Sequence, residues 1–257
     1  MTNSHIDDRP WYERAHSGMA RVRAEMGEKL AALVLETCGP YLAKPVSQLD
    51  VLDCGCGYGQ TAIALASRCR YVLGIEPCQS MYDQAVALAQ QAQRPNLEFE
   101  NCSIHRFTKT GCFDLAILDN VLEHISDQHD ALARLYQALR TNGLLFVVVP
   151  NKLWPVEVHY GLPFLSYLPL PLANLYLRAT GRGKDYSDAC FAPTYWGIRR
   201  LLRKAGFHDH WFIVPPNLSN TMKGAVWYYR LGATLLRAAP WLWCISKAFV
   251  IVARKHK

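Results

Sequence analysis

Residues 51–60 read VLDCGCGYGQ. Its glycines and cysteines allow a metal knuckle, a redox pair or a glycine loop, and the flanks decide. LDVLDC (49–54) is a short apolar strand, and TAIALASRC (61–69) has the spacing of a helix. Glycines between a strand and a helix let the backbone approach a ligand, and a helix N-terminus favours negative charge. The glycines fall at Gly55, Gly57 and Gly59. The dinucleotide fingerprint G-x-G-x-x-G puts its third glycine one residue later, where Gln60 stands. Cys54 and Cys56 are too close for C-x-x-C, and no second pair lies at zinc-finger spacing. Cys54 therefore reads as strand-end packing and Cys56 as a small residue lining the loop. No metal is expected.

Working outward, strands and helices alternate. YVLGIE (71–76), LEFE (97–100) and FDLAILD (113–119) read as strands. CQSMYDQAVALAQQAQ (78–93) and DQHDALARLYQALR (127–140) read as helices. Asn142-Gly143 predicts a turn into LLFVVVP (144–150), a fifth, buried strand. The pattern predicts an α/β fold with a doubly wound, mostly parallel sheet. A helix over 11–37 precedes it, stopped by Cys38-Gly39-Pro40. Beyond Pro150 the alternation breaks. TYWGIRRLLRKAGF (194–207) predicts a helix capped at Gly206, HWFIV (210–214) a sixth strand, and AFVIVARK (248–255) the last. The expected organisation is one domain: an N-terminal helical cap (1–45), a core (49–151) and two lid insertions (152–193 and 215–247).

The chain has 257 residues, 51% of them hydrophobic, enough for one sizeable core. A net charge of +7 suits an anionic membrane face or substrate without requiring nucleic acid. Nine scattered cysteines fit free thiols in a reducing, cytoplasmic setting. MTNSHIDDRPWYERAH (1–16) lacks the pattern of a secretory signal. The apolar stretches 153–177 and 235–253 are too interrupted to span a bilayer, but both suit resting on one, at the inner face of the membrane.

Glu76, at the end of the second strand, can accept hydrogen bonds from both ribose hydroxyls of a nucleoside, each worth about 1.5–3 kcal/mol. VLDCGCGYGQ, GIEP (74–77), FDLAILDNVLEHI (113–125) and LRTNGLLFVVVPN (139–151) together resemble class I S-adenosylmethionine (SAM)-dependent methyltransferases. The resemblance is to the small-molecule subgroup that includes quinone-biosynthesis enzymes. It covers 49–151 well, and 194–214 and 248–253 more loosely.

The resemblance implies a seven-stranded Rossmann-like sheet with its last strand antiparallel, and SAM as cofactor. It implies that Asp53, Gly55 and Gly57 hold the methionine part, with Gly59 aiding close approach. Glu76 would hold the ribose, Pro77 would border the adenine, and Asp119 and Asn120 would sit near the methyl. The acidic residue that usually follows the third strand is replaced in ENCSI (100–104) by Cys102, with Ser103 next, so backbone and Ile104 would hold the adenine. The N-terminal helix, with Tyr12, Arg14 and His16, would close over the cofactor. Glu123 and His124 read as structural hydrogen-bonding residues.

Methyl transfer is an in-line displacement in which alignment is worth about 7–11 kcal/mol. A general base adds about 10²- to 10⁴-fold when the acceptor is a hydroxyl. PNKLWPVEVHYG (150–161) opens the first insertion where the fifth strand ends, offering Glu157, His159 and Tyr160 as substrate contacts. Alternation places Glu157 and His159 on one face, and His159 suits the catalytic base. An ordinary loop histidine is the alternative. GRGKDYSDA (181–189) reads as a gate or a solvated connector. Aromatics beside cations in both insertions suit interfacial binding, or else pack on each other as a lid core.

The expected function is O-methylation of a hydrophobic or lipid-linked small molecule, either a glycan or a prenylated ring. A soluble acceptor in a closed pocket and a non-catalytic SAM-binding module are the alternatives. Nucleic acid is not expected as a partner: DNVL (119–122) stands where an N-P-P-[YF] motif would, and basic residues are dispersed.

Overall fold

The computed structural model describes residues 20–220 and 226–256. Tyr12, Arg14 and His16 lie outside them. Seven strands form one sheet: β1 (Asp50–Cys54), β2 (Tyr71–Ile75), β3 (Leu97–Glu100), β4 (Phe113–Asp119), β5 (Leu139–Pro150), β6 (Asp209–Phe212) and β7 (Ala248–Arg254). Their order is β3-β2-β1-β4-β5-β7-β6. β1 to β5 pair in parallel, and β7 runs antiparallel between β5 and β6.

The strands are apolar on both faces because both faces are covered. Val51, Ile117 and Phe146 join one core, with Ala31 and Val34 of α1 (Ala20–Cys38) and Leu65 of α2 (Gln60–Ala66). Leu52, Leu118 and Val147 join the other. There they meet Leu132 and Leu135 of α4 (Gln128–Ala138) and Ile198 and Leu202 of α6 (Tyr195–Lys204). The α3 helix (Gln79–Ala92) follows β2. The α1–α2 contact is close: a Cβ on Gly27 would lie 2.7 Å from the Gln60 backbone.

Two strand boundaries differ from expectation in ways that bear on the sheet. The strand after α4 starts at Leu139 rather than Leu144, and the expected Asn142-Gly143 turn sits inside it as a bulge. Pairing with β4 jumps from Phe113–Leu139 to Leu115–Leu144. Asn142 takes φ 64°, and the Asn142 N–H donates to the Lys255 carbonyl at 2.9 Å, so the excursion keeps a backbone partner. β6 ends at Phe212, although the Ile213 N–H still donates to Val250. The stop of α6 is as expected. Gly206 takes φ +105° and the Phe207 N–H bonds the Leu202 carbonyl at 2.9 Å, closing the helix.

The first insertion has a core of its own, with Leu162, Leu165 and Tyr186 packed beneath α5 (Leu170–Ala179). Its 181–189 loop is tied down: Asp185 accepts hydrogen bonds from Asn174 and Ser187. The second insertion contains α7 (Trp227–Ala238) and the 3₁₀ segment Pro240–Ile245. Among the described residues, no helix is long and apolar enough to cross a membrane.

Candidate active site

The carboxyl ends of β1, β2 and β4 meet at the glycine loop. Gly55, Gly57 and Gly59 all take positive φ, at +71°, +55° and +73°. Only glycine does so freely, but the three serve different ends. A Cβ on Gly55 would strike Val121 at 2.6 Å, and one on Gly59 would strike Phe99 at 2.6 Å. A Cβ on Gly57 would meet none of the described residues within 4 Å, so among them Gly57 faces open space. The Cys56 sulfur lies against Gly74 of β2.

Glu76 is buried and fixed by backbone. The Gly57 N–H donates to its Oε2 and the Cys78 N–H to its Oε1, both at 2.9 Å. Each carboxylate oxygen keeps a further lone pair. The Asn101 amide donates to the Glu76 carbonyl at 2.9 Å, joining the ends of β2 and β3. Beyond it Cys102 is half-buried, Ser103 precedes a 3₁₀ turn (Ile104–Arg106), and Ile104 is buried. Pro77 is exposed beside them.

Asp53 is 5% exposed, and its Oδ2 has no hydrogen-bond partner among the described residues. Burial, then Asp119 and Glu76, push Asp53 up to about 7. Burial, then Glu123, push Asp119 up to about 7, against a 3.1 Å hydrogen bond from the Asn120 amide. Burial also raises Glu76. No described lysine or arginine enters these shifts. A row of buried acids with no cation, an orphaned acceptor and an open glycine cradle together fit a ligand that brings its own positive charge. SAM, with an ammonium and a sulfonium, is such a ligand.

A second cluster adjoins Asp119. Glu123, in the 3₁₀ turn Leu122–His124, is fully buried, and neither carboxylate oxygen is hydrogen-bonded among the described residues. Glu123 Oε1 lies 3.6 Å from His159 Nε2, an ion-pair distance beyond hydrogen-bond range. The other face of the ring is gripped harder, with His159 Nδ1 2.6 Å from Glu157 Oε1. Glu157 Oε2 accepts the His159 and Tyr160 N–H groups at 2.8 and 2.7 Å. Burial opposes charge on His159, whose side chain is 3% exposed, but the Glu123 and Glu157 carboxylates outweigh it and raise His159 to about 9.

His124 lies edge-on to His159, ring centres 5.3 Å apart, and its Nδ1 contacts the Asp188 carbonyl. The Phe191 N–H donates to the Glu123 carbonyl at 3.1 Å, so both ends of the first insertion close on this turn. Tyr160 stands apart. It is buried in the insertion core, and its hydroxyl donates to the Asp185 carbonyl at 3.0 Å.

The structure thus brings Asp53, Gly57, Glu76 and Asp119 together, and Glu157 and His159 with them through Glu123. Sequence reasoning assigned Glu123 and His124 a structural part. The signal that could have marked them was the adjacent acid and imidazole just after a strand that ends in Asp119-Asn120.

Residues 52–147 match the family described as "Methyltransferase domain". A trans-aconitate 2-methyltransferase of Deinococcus radiodurans is 33% identical over 142 residues, which is 54% of this chain and 49% of that protein. A ubiquinone biosynthesis O-methyltransferase of Rickettsia conorii is 25% identical over 141 residues, 54% of this chain and 48% of that protein. The chain spans about half the length of these relatives. Among solved structures, a putative SAM-dependent methyltransferase from Listeria monocytogenes matches with TM-score 0.57 and 18% identity, covering 88% of this chain and 100% of that one. A Burkholderia thailandensis 1,6-didemethyltoxoflavin-N1-methyltransferase with bound S-adenosylhomocysteine matches with TM-score 0.54 and 17% identity, covering 96% and 84%. These two likenesses concern the fold. Over residues 52–147, the chain therefore carries a methyltransferase domain, for which S-adenosylmethionine is the cofactor.

Proposed function

We propose that this chain transfers a methyl group to an oxygen of a hydrophobic or lipid-linked small molecule. The observation that carries this reading is the row of buried acids, Asp53, Glu76 and Asp119, beside the open cradle at Gly57. When bound, SAM supplies an electrophilic methyl group on a positively charged sulfur. Asp53 and the Gly55–Cys56–Gly57 backbone hold the methionyl end, with Gly59 letting the helix approach. Glu76, already aligned by two backbone donors, takes the ribose hydroxyls. Pro77, Cys102, Ser103 and Ile104 border the adenine. Asp119 and Asn120 mark the methyl, and Glu157 and His159 stand on the acceptor side.

The acceptor class rests on the insertions. Trp227 and Trp241 are 73% and 72% exposed, and Leu231 and Leu235 continue the Trp227 stripe along α7. Arg199, Arg200, Arg203 and Lys204 line a groove with Trp196 on α6, which touches the segment Pro240–Ile245. Apolar side chains rimmed by cations suit an anionic membrane, each cation near the surface adding about 1 kcal/mol. The matched O-methyltransferases agree with oxygen as the accepting atom. A soluble acceptor is the second reading, favoured by the closed core of the first insertion.

Calorimetric titration with SAM and S-adenosylhomocysteine tests the first half. Glu76→Ala should weaken binding about 10-fold or more, since it removes charge-assisted bonds worth about 1.5–3 kcal/mol. Absence of binding to folded wild type would overturn it. Incubation with methyl-labelled SAM and a membrane lipid extract tests the second. Label in the organic phase supports a lipid-linked acceptor, and label confined to water-soluble products favours the second reading.

A further inference from the structure

We propose that Glu123, His124 and His159 bind one divalent transition-metal cation, with zinc as the first candidate. One ligand atom from each of the three lies within 4.8 Å of those of the other two. Among the described residues, the Glu123 carboxylate has no exposure and no hydrogen bond to either oxygen, a costly state for a buried charge that a cation would relieve. The imidazoles are held from outside. Glu157 engages Nδ1 of His159 at 2.6 Å, and the Asp188 carbonyl engages Nδ1 of His124. Outer carboxylates and carbonyls orient metal-binding histidines in this way, an Nδ1–H donating outward so that Nε2 ligates. Glu157 is itself fixed by two backbone N–H groups.

The donor set selects the ion. Two imidazoles and one carboxylate suit zinc and its transition-metal neighbours, whereas magnesium and calcium prefer oxygen ligands throughout. Three protein ligands leave a fourth position open, as in catalytic rather than structural zinc sites. The Asp119 carboxyl feels the charge of Glu123, so this position borders the methyl-transfer region. A cation there would take an oxygen of the acceptor and favour its deprotonated form, the proton passing to water. That role rests on the methyltransferase reading. The binding of the ion does not. Without a metal, the same residues are an ion-paired array of Glu157, His159 and Glu123, and the two states differ in what they bind.

Tag-free full-length protein, stripped with chelator and dialysed, would be titrated with Zn²⁺ and with Co²⁺, and separately with S-adenosylhomocysteine. The expected result is one Zn²⁺ or Co²⁺ per chain, with visible Co²⁺ bands of a four- or five-coordinate ion. Glu123→Gln and His159→Gln should abolish saturable binding. Glu157→Gln, which removes only the outer partner, should weaken it about 10- to 100-fold. Wild type that binds S-adenosylhomocysteine but no metal overturns the site. So does stoichiometric metal binding that survives both ligand substitutions. Metal binding without S-adenosylhomocysteine binding upholds the site and breaks the methyltransferase reading. Anomalous scattering from zinc-soaked wild-type crystals needs no variant. A peak about 2.0–2.2 Å from the three ligand atoms supports the site, and a peak only elsewhere overturns it.

Discussion

The two ends of the sheet treat the same residue type in opposite ways. At the amino end, Asp50 opens β1 and Asp114 lies near the start of β4. Arg140 bridges them, with one nitrogen 2.8 Å from Asp50 and another 2.8 Å from Asp114. Arg70 adds a 2.7 Å bond to Asp50, and Lys44 a 2.7 Å bond to Asp114. Burial pushes Asp50 up, but Arg70 and Arg140 hold it below the ordinary carboxylate value. A few residues along the same strands, Asp53 and Asp119 have no such partners among the described residues and rise to about 7. One end is complete as folded. The other, among the described residues, is left short of positive charge.

The largest effect that would sharpen this contrast is at the complete end. Arg140→Met leaves Asp50 with only Arg70 and Asp114 with only Lys44, and should cost about 1–3 kcal/mol of stability, read by urea unfolding. Cofactor affinity should hardly change. Asp53→Asn should do the reverse, lowering SAM affinity about 10-fold or more while leaving stability equal or higher at pH 8. If Asp53→Asn unfolds the protein and Arg140→Met does not, the contrast fails.

Titration gives a second way to break it. A carboxyl raised from the ordinary 3.8 to about 7 costs the fold stability as pH rises through that window. The stability difference between wild type and Asp53→Asn should therefore widen from pH 5 to pH 8. A cationic ligand favours the ionised acids, so SAM binding should strengthen up to about pH 7 and release protons. Calorimetry in buffers of different ionisation enthalpy reads that release directly. Asp50 runs the other way: its depressed value contributes stability that is lost as pH falls below the ordinary carboxylate range.

Two smaller effects follow. Gly57→Ala meets no side chain but forces a left-handed alanine, costing about 1–2 kcal/mol and crowding the cradle. Arg70→Gln, with a 57% exposed side chain, should destabilise less than Arg140→Met, and high salt should erase its effect.

The fold was legible because strand periodicity and glycine placement are local. VLDCGCGYGQ fixed a strand, a turn and a helix, and each later strand repeated the apolar pattern. The Asn142-Gly143 excursion was legible as a turn but not as a bulge, because its closing partners, Lys255 and Leu115, lie elsewhere in the chain. The buried acids Asp53, Glu76 and Asp119 were legible for the same local reason, each standing at or next to a strand end. The amino-end ion pairs were not, since Arg70, Arg140 and Lys44 reach Asp50 and Asp114 only through the sheet. The tie between Glu123 and His159 was not legible, because an insertion whose path no periodicity describes brings the two together.

Cys54 and Cys56 sit within the loop that would hold an alkylating sulfonium. Burial pushes both thiols up, and the negative charge of Asp53 and Glu76 adds to it. Only a thiolate attacks carbon readily. The acids that would draw in the cation therefore also keep neighbouring sulfur protonated and inert. A methyl donor can be stored beside two cysteines without the protein alkylating itself.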